Sequence, residues 1–185
     1  MTNITNEQAI GRVRAWIERF VVDLNLCPFA RPVVSSDALR IVACESASPE
    51  AIATLVITEL DLLSQSSESD IATSVLVFPE GLEEFDEYLG FLDDAQTVLE
   101  EMGLDGEIQI ASFHPDYRFE GEPVGAVSHF TNRAPYPLIH LLREAMVTNA
   151  LETYPNPERI SERNIQTLER LGLAGIERLL HSLDP

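Results

Sequence analysis

Apolar positions recur along the chain in blocks whose period switches between helical and extended spacing. Ile10, Val13, Ile17, Phe20, Val21 and Leu24 fall three or four residues apart, the stripe of an amphipathic helix. Thr5-Asn6-Glu7-Gln8 before them has capping-box spacing. Asn25 to Pro28 ends this helix, because Pro28 lacks an amide hydrogen and pushes Cys27 out of helical geometry. Leu39 to Cys44 reads as a strand. Ser48-Pro49-Glu50 supplies a cap, a proline at N1 and an acid in the first turn for a helix through Ile52, Leu55, Val56, Leu60 and Leu63. Thr73 to Phe78 is a continuous apolar run stopped by Pro79, as for a strand buried on both faces. A further helix is expected from about Leu82 to Met102, with Gly103 as its C′ residue, and Glu107 to Ser112 alternates as a third strand.

Phe113 to Pro137 has little periodicity, and a connection of that length with this many aromatics reads as a functional loop. The rest reads as helical. Leu138 to Leu151 is one segment, Asn156-Pro157-Glu158 caps a second that stops at Gly172, and a short piece ends near Leu183. The expectation is a single α/β domain over residues 1–185, with a helical tail from about 138. Its sheet is expected to be small, three- or four-stranded and mainly parallel, with flanking helices and helical N- and C-terminal segments. An α+β sandwich of ferredoxin type competes, since sequence does not settle strand order.

Charge narrows the functions. The 185 residues carry 31 acids against 12 basic residues, a formal net charge of −19, which opposes nucleic-acid binding. Every basic residue is arginine, so chemistry that needs a lysine, such as a Schiff base or a phosphate-loop lysine, is excluded. No basic residue lies between Arg40 and Arg118, while residues 41–117 hold 18 of the acids, making the middle of the chain an acidic wall. Any anion site should lie in the flanks. No apolar run is long enough for a membrane span, and residues 1–9 lack the features of a secretory signal. With only two cysteines, Cys27 and Cys44, a reducing cytoplasmic setting is expected.

Three islands place reactive groups among turn-forming residues: Asn25–Arg31 around Cys27, Ser112–Arg118 around His114, and Thr131–Pro137 running into His140, Arg143 and Glu144. With the Asn164-Ile165 element near the end, these islands resemble an uncharacterised bacterial and plant family, domain of unknown function 1415. The resemblance runs from about Ile10 to Gly172 and implies one domain, but it carries no activity.

The residues themselves point to a candidate site. His114 follows the third strand, where ligands collect in parallel sheets, and Asp116 is placed to orient it as a general acid/base; closure of a turn is the competing reading. On a helix after Pro137, His140, Arg143 and Glu144 would share one face, as a second acid/base pair or part of a metal site. Arg31, Arg118, Arg133 and Arg143 would form a fork for a carboxylate or phosphate, with Asn132 bonding a substrate oxygen. Separate salt bridges are the alternative for each arginine. Cys27 follows a helix C-terminus, whose dipole raises a thiol pKa, so no activated nucleophile is expected.

The sequence therefore points to an enzyme acting on a small anionic metabolite through histidine acid/base chemistry. The alternatives are a non-catalytic module that binds an anion or docks a basic partner on its acidic surface, and turn and salt-bridge hardware alone. No cofactor is expected. A single divalent metal on His114, Asp116, His129, His140 and Glu144 is the alternative, opposed by the arginines nearby.

Overall fold

Four strands, β1 (Leu39–Ala43), β2 (Thr73–Val77), β3 (Ile108–Phe113) and β4 (Leu138–Arg143), hydrogen-bond in the order β1-β2-β4-β3. The computed structural model that shows this describes residues 4–183. β1 and β2 pair in parallel, and β4 pairs antiparallel with both β2 and β3. The first three strands thus share one direction, and β4 returns between the last two. The mainly parallel sheet expected from sequence is corrected to a mixed one, with one parallel and two antiparallel pairings. The connection from β3 to β4 holds no crossover helix, only a short 3₁₀ turn at Val127–Thr131, and such a return runs antiparallel.

Residues 138–143 are the second correction, a strand where a helix was expected. They pair on both sides, so the ladder satisfies their backbone groups. A helix, α5 (Glu144–Thr153), begins directly after them.

The other helices follow their local signals. α1 (Asn6–Trp16) starts at Thr5 with both capping-box bonds made, and continues as a π-helical stretch over Ile17–Val22. A six-residue helix, α2 (Ala30–Ser35), fills part of the first island. α3 (Pro49–Gln65) starts on its Ser48 cap. α4 (Phe85–Glu101) starts later than expected because Gly81 and Leu82 take φ of +85° and +62°, which no helix accommodates. α6 (Ile160–His181) breaks at Gly172, where φ is +66°.

Side chains alternate across the sheet, so each strand feeds two cores. Leu76, Ile139 and Leu141 join α3 and α4 on one face. Val75, Val77 and Leu138 join α1, its π-helical continuation and α6 on the other. Helices on both faces give three layers, which sets aside the ferredoxin-type sandwich. Among the described residues, no helix is long and apolar enough to cross a membrane.

Candidate functional site

His114 sits immediately past β3, fully buried, with both ring nitrogens committed. Its Nδ1 accepts from the Asp116 backbone N–H at 3.0 Å, and its Nε2 donates to the Leu82 carbonyl at 3.0 Å. The rings of Phe85 and Tyr88 pack at centroid distances of 5.2 and 5.0 Å. That leaves no lone pair for proton transfer, so the geometry is turn closure. Around it Asp116, Arg118 and Arg133 are neighbours. Arg133 lies over the Phe130 ring at 4.6 Å and donates to the Tyr117 carbonyl at 3.2 Å. Burial lowers its pKa; the Asp116 charge opposes that shift and the Arg118 charge adds to it. Asn132 is a staple, donating from Nδ2 to the Ser112 carbonyl at 3.1 Å and accepting from Thr131 at 3.0 Å.

The remaining candidates lie elsewhere. Arg31 is at the surface, donating to the Val22 carbonyl at 3.2 Å, with Asp23 at 4.0 Å. His140 and Arg143, three apart on β4, point to opposite faces of the sheet, which corrects the shared helix face expected for them and Glu144. Arg143 Nη2 donates to the carbonyls of Leu63, Ser66 and Ile71 at 2.8–2.9 Å, closing the C-terminal end of α3. Glu144 opens α5, its N–H bonded to the Glu107 carbonyl. Arg143 is registered with Ile108, at the far end of β3 from His114, roughly 20 Å away at about 3.3 Å per residue. The four arginines therefore form no single fork around His114. Among the described residues, no group of three or more His, Cys, Asp or Glu side chains is placed to hold a metal ion.

What the sheet does build is a cavity of about 270 Å³ on the α1 side. Its floor is Val75, Ala111, Leu138 and His140, on the three neighbouring strands β2, β4 and β3. Trp16 and Ile17 roof it where α1 passes into the π-helical stretch, a distortion frequent at functional sites. The half-buried Phe29, Val33, Met146 and Val147 of the α2 and α5 regions form its rim. Polar groups in this lining are few: Thr73, Gln109, His140, the Cys27 thiol and the indole N–H of Trp16, which is buried without a hydrogen-bond partner among the described residues.

His140 is the group with chemistry. The Thr73 hydroxyl donates to the Leu141 carbonyl, so the 2.6 Å contact between Thr73 Oγ1 and His140 Nε2 has the ring as donor. This fixes the neutral Nε2–H tautomer. Nδ1 then carries the lone pair; it has no hydrogen-bond partner among the described residues and is not sealed in by protein atoms. It borders the cavity. Burial in this apolar setting pushes the imidazole pKa down to about 4.

Comparison with known proteins adds a family and no activity. The profile of a family described as "Protein of unknown function (DUF1415)" matches residues 8–178. The chain belongs to the DUF1415 family. No curated protein and no solved structure matches it. The DUF1415 match takes in all four strands and the whole cavity lining.

Sequence reasoning missed Thr73, Gln109 and Trp16 as parts of a site. The available signal was Thr73 and His140 as polar interruptions of two apolar strands; nothing local marks Trp16 or Gln109. Cys27 does reach the cavity, and burial raises its pKa against the opposing backbone bonds from Phe29 and Ala30, which leaves a neutral thiol. The direction agrees with the sequence reading, but its leading cause is desolvation.

Proposed function

We propose that this DUF1415 protein binds a small, largely apolar molecule bearing one hydrogen-bond donor, seated in the cavity with that donor on His140 Nδ1. The observation that carries this reading is a neutral imidazole with Nε2–H committed to Thr73 and Nδ1 without a partner, set in an otherwise apolar wall. A cavity of about 270 Å³ falls just below the usual range of ligand pockets, which run from about 300 Å³ upward, so the ligand is of one- or two-ring size.

Two considerations favour a neutral ligand over the anionic metabolite expected from sequence. No arginine lines the cavity, and an unpaired carboxylate there would lose its hydration without compensation. A pKa near 4 also leaves about one ring in a thousand protonated at pH 7, so His140 offers an acceptor and almost no cation. The same value makes it a weak general base, since effective bases titrate near the working pH. Binding is therefore favoured over catalysis. The free thiols Cys27 and Cys44 support placing the protein in a reducing cytoplasm.

Calorimetric titration with phenol, indole, toluene and benzoate tests this. Phenol and indole should bind more tightly than toluene, and benzoate should not bind at neutral pH. His140→Phe should keep toluene binding and remove the phenol advantage. Benzoate binding more tightly than phenol, or no binding by any of the four, would overturn the reading.

A further inference from the structure

A second concavity, of about 620 Å³, lies on the other side of the sheet, between α3 and α4. α4 presents to it Glu87, Gly90, Phe91, Asp94, Ala95 and Val98, spacings of three and four that mark one continuous helix face. The opposite wall is the Ile52, Ala53 and Val56 stripe of α3. From Glu87 to Val98 the groove runs roughly 16 Å at 1.5 Å per residue, the length of three helical turns. Its middle is kept open by small residues. A Cβ built on Gly90 would meet nothing within 4 Å, and Ala53 is exposed. Ile57 on α3 and Leu89 on α4 are 46% and 41% exposed, large apolar side chains left uncovered on the same two helices.

The rim has one sign of charge. Glu83, Glu87 and Asp94 are exposed there, and none forms an ion pair among the described residues. No basic residue occurs between Arg40 and Arg118, so α3 and α4 carry no counter-charge of their own. The guanidinium of Arg118 lies 5.6 Å from the Phe85 ring centroid at the start of α4, and none of the three acids is ion-paired to it among the described residues. An apolar floor about three turns long with an unneutralised acidic rim complements one chemistry.

We propose that the α3–α4 groove is a docking site for a basic amphipathic helix of a partner protein. The partner helix lays apolar side chains at i, i+3 or i+4, and i+7 onto Ala53, Phe91 and Val98, and aims arginine or lysine at Glu83, Glu87 and Asp94. This proposal is independent of the ligand reading of the His140 cavity, which lies across the sheet.

Fluorescence anisotropy on the full chain tests it, using a labelled 15-residue peptide of leucine and arginine at helical spacing. A scrambled peptide of the same composition is the control. The amphipathic peptide should bind at least tenfold more tightly than the scrambled one. Gly90→Trp, which fills the groove without changing charge, should weaken it at least tenfold, and Ala53→Trp on the facing wall should do the same should the first variant prove unstable. Glu87→Gln with Asp94→Asn should weaken binding and flatten its salt dependence. Equal binding of the scrambled peptide would mean charge attraction alone and overturn the proposal. So would unchanged binding by both tryptophan variants. Self-association of the chain that Gly90→Trp abolishes would assign the groove to a second copy and overturn the partner helix.

Discussion

Thr73 sets which nitrogen of His140 faces the cavity. Its single hydroxyl proton goes to the Leu141 carbonyl, so its lone pair is what Nε2 meets at 2.6 Å. A ligand arriving at Nδ1 therefore finds an acceptor held in place from behind, on a strand paired along both edges.

Thr73→Val preserves shape but removes both bonds. The variant should lose roughly 1–2 kcal/mol of stability, and its imidazole should populate both tautomers. Nitrogen-15 spectra of His140 at pH 7 check this: the wild-type ring should report the Nε2–H form alone. A wild-type ring protonated on Nδ1 would refute the assignment.

Acid should act on the protein through the same ring. The folded pKa is about 4, and an unfolded histidine titrates near 6.5, so between these values the unfolded chain binds a proton that the folded one does not. Stability must then fall as pH drops through that window and level off below it. At pH 4.5 the loss relative to pH 7 comes to about 2 kcal/mol. Urea midpoints at the two pH values should separate the wild type from His140→Phe by that amount; an equal acid loss in both proteins would exclude His140 as its source.

Tyr88 bridges the end of the β3–β4 ladder. Its hydroxyl donates to the Leu138 carbonyl at 2.8 Å and accepts from the Phe113 N–H at 2.9 Å, and burial raises its pKa far above the ordinary tyrosine value. Tyr88→Phe leaves a carbonyl and an amide without partners and should cost about 1–3 kcal/mol in denaturant unfolding. Amide exchange at Phe113 should accelerate before global unfolding.

Two arginine-to-lysine changes should differ sharply. Arg143 serves three carbonyls with one fixed fork, which a single ammonium on a flexible stem cannot reproduce, so Arg143→Lys should destabilise by about 1–3 kcal/mol. Arg31→Lys, at an exposed pair 4.0 Å apart, should change the thermal midpoint little.

The three strands joined by helices were legible because each is a short apolar block with a strong stop or cap beside it: Pro79 after β2, Ser48-Pro49 before α3, Gly103 after α4. Residues 138–143 misled for a physical reason. A strand buried on both faces loses its alternation, and Leu138, Leu141 and Leu142 then match helical spacing into the real helix that follows. That one misreading changes which side chains His140 can meet. Read as helical, His140 shares a face with Arg143 and Glu144; read as extended, it turns away from Arg143 toward the cavity. His114 was found, but its partners are backbone groups of Asp116 and Leu82, which no side-chain pattern announces. Likewise Arg133 and Arg143 donate to backbone carbonyls, which every residue carries and no side-chain pattern marks.

The place of β4 also governs how the chain can assemble. β2 and β3 share no hydrogen bonds with each other; β4, which follows both in the chain, is what joins β3 to the β1–β2 pair. Until residues 138–143 leave the ribosome, only the β1–β2 pair can form, and β3 waits with both edges open. Completing the sheet thus requires inserting one later segment between two earlier ones, a long-range closure of the kind that slows folding. Part of β1 and all of β2 and β3 lie in the acidic stretch of residues 41–117, so strand edges still open at that stage carry a strong like charge that keeps them apart from those of neighbouring chains.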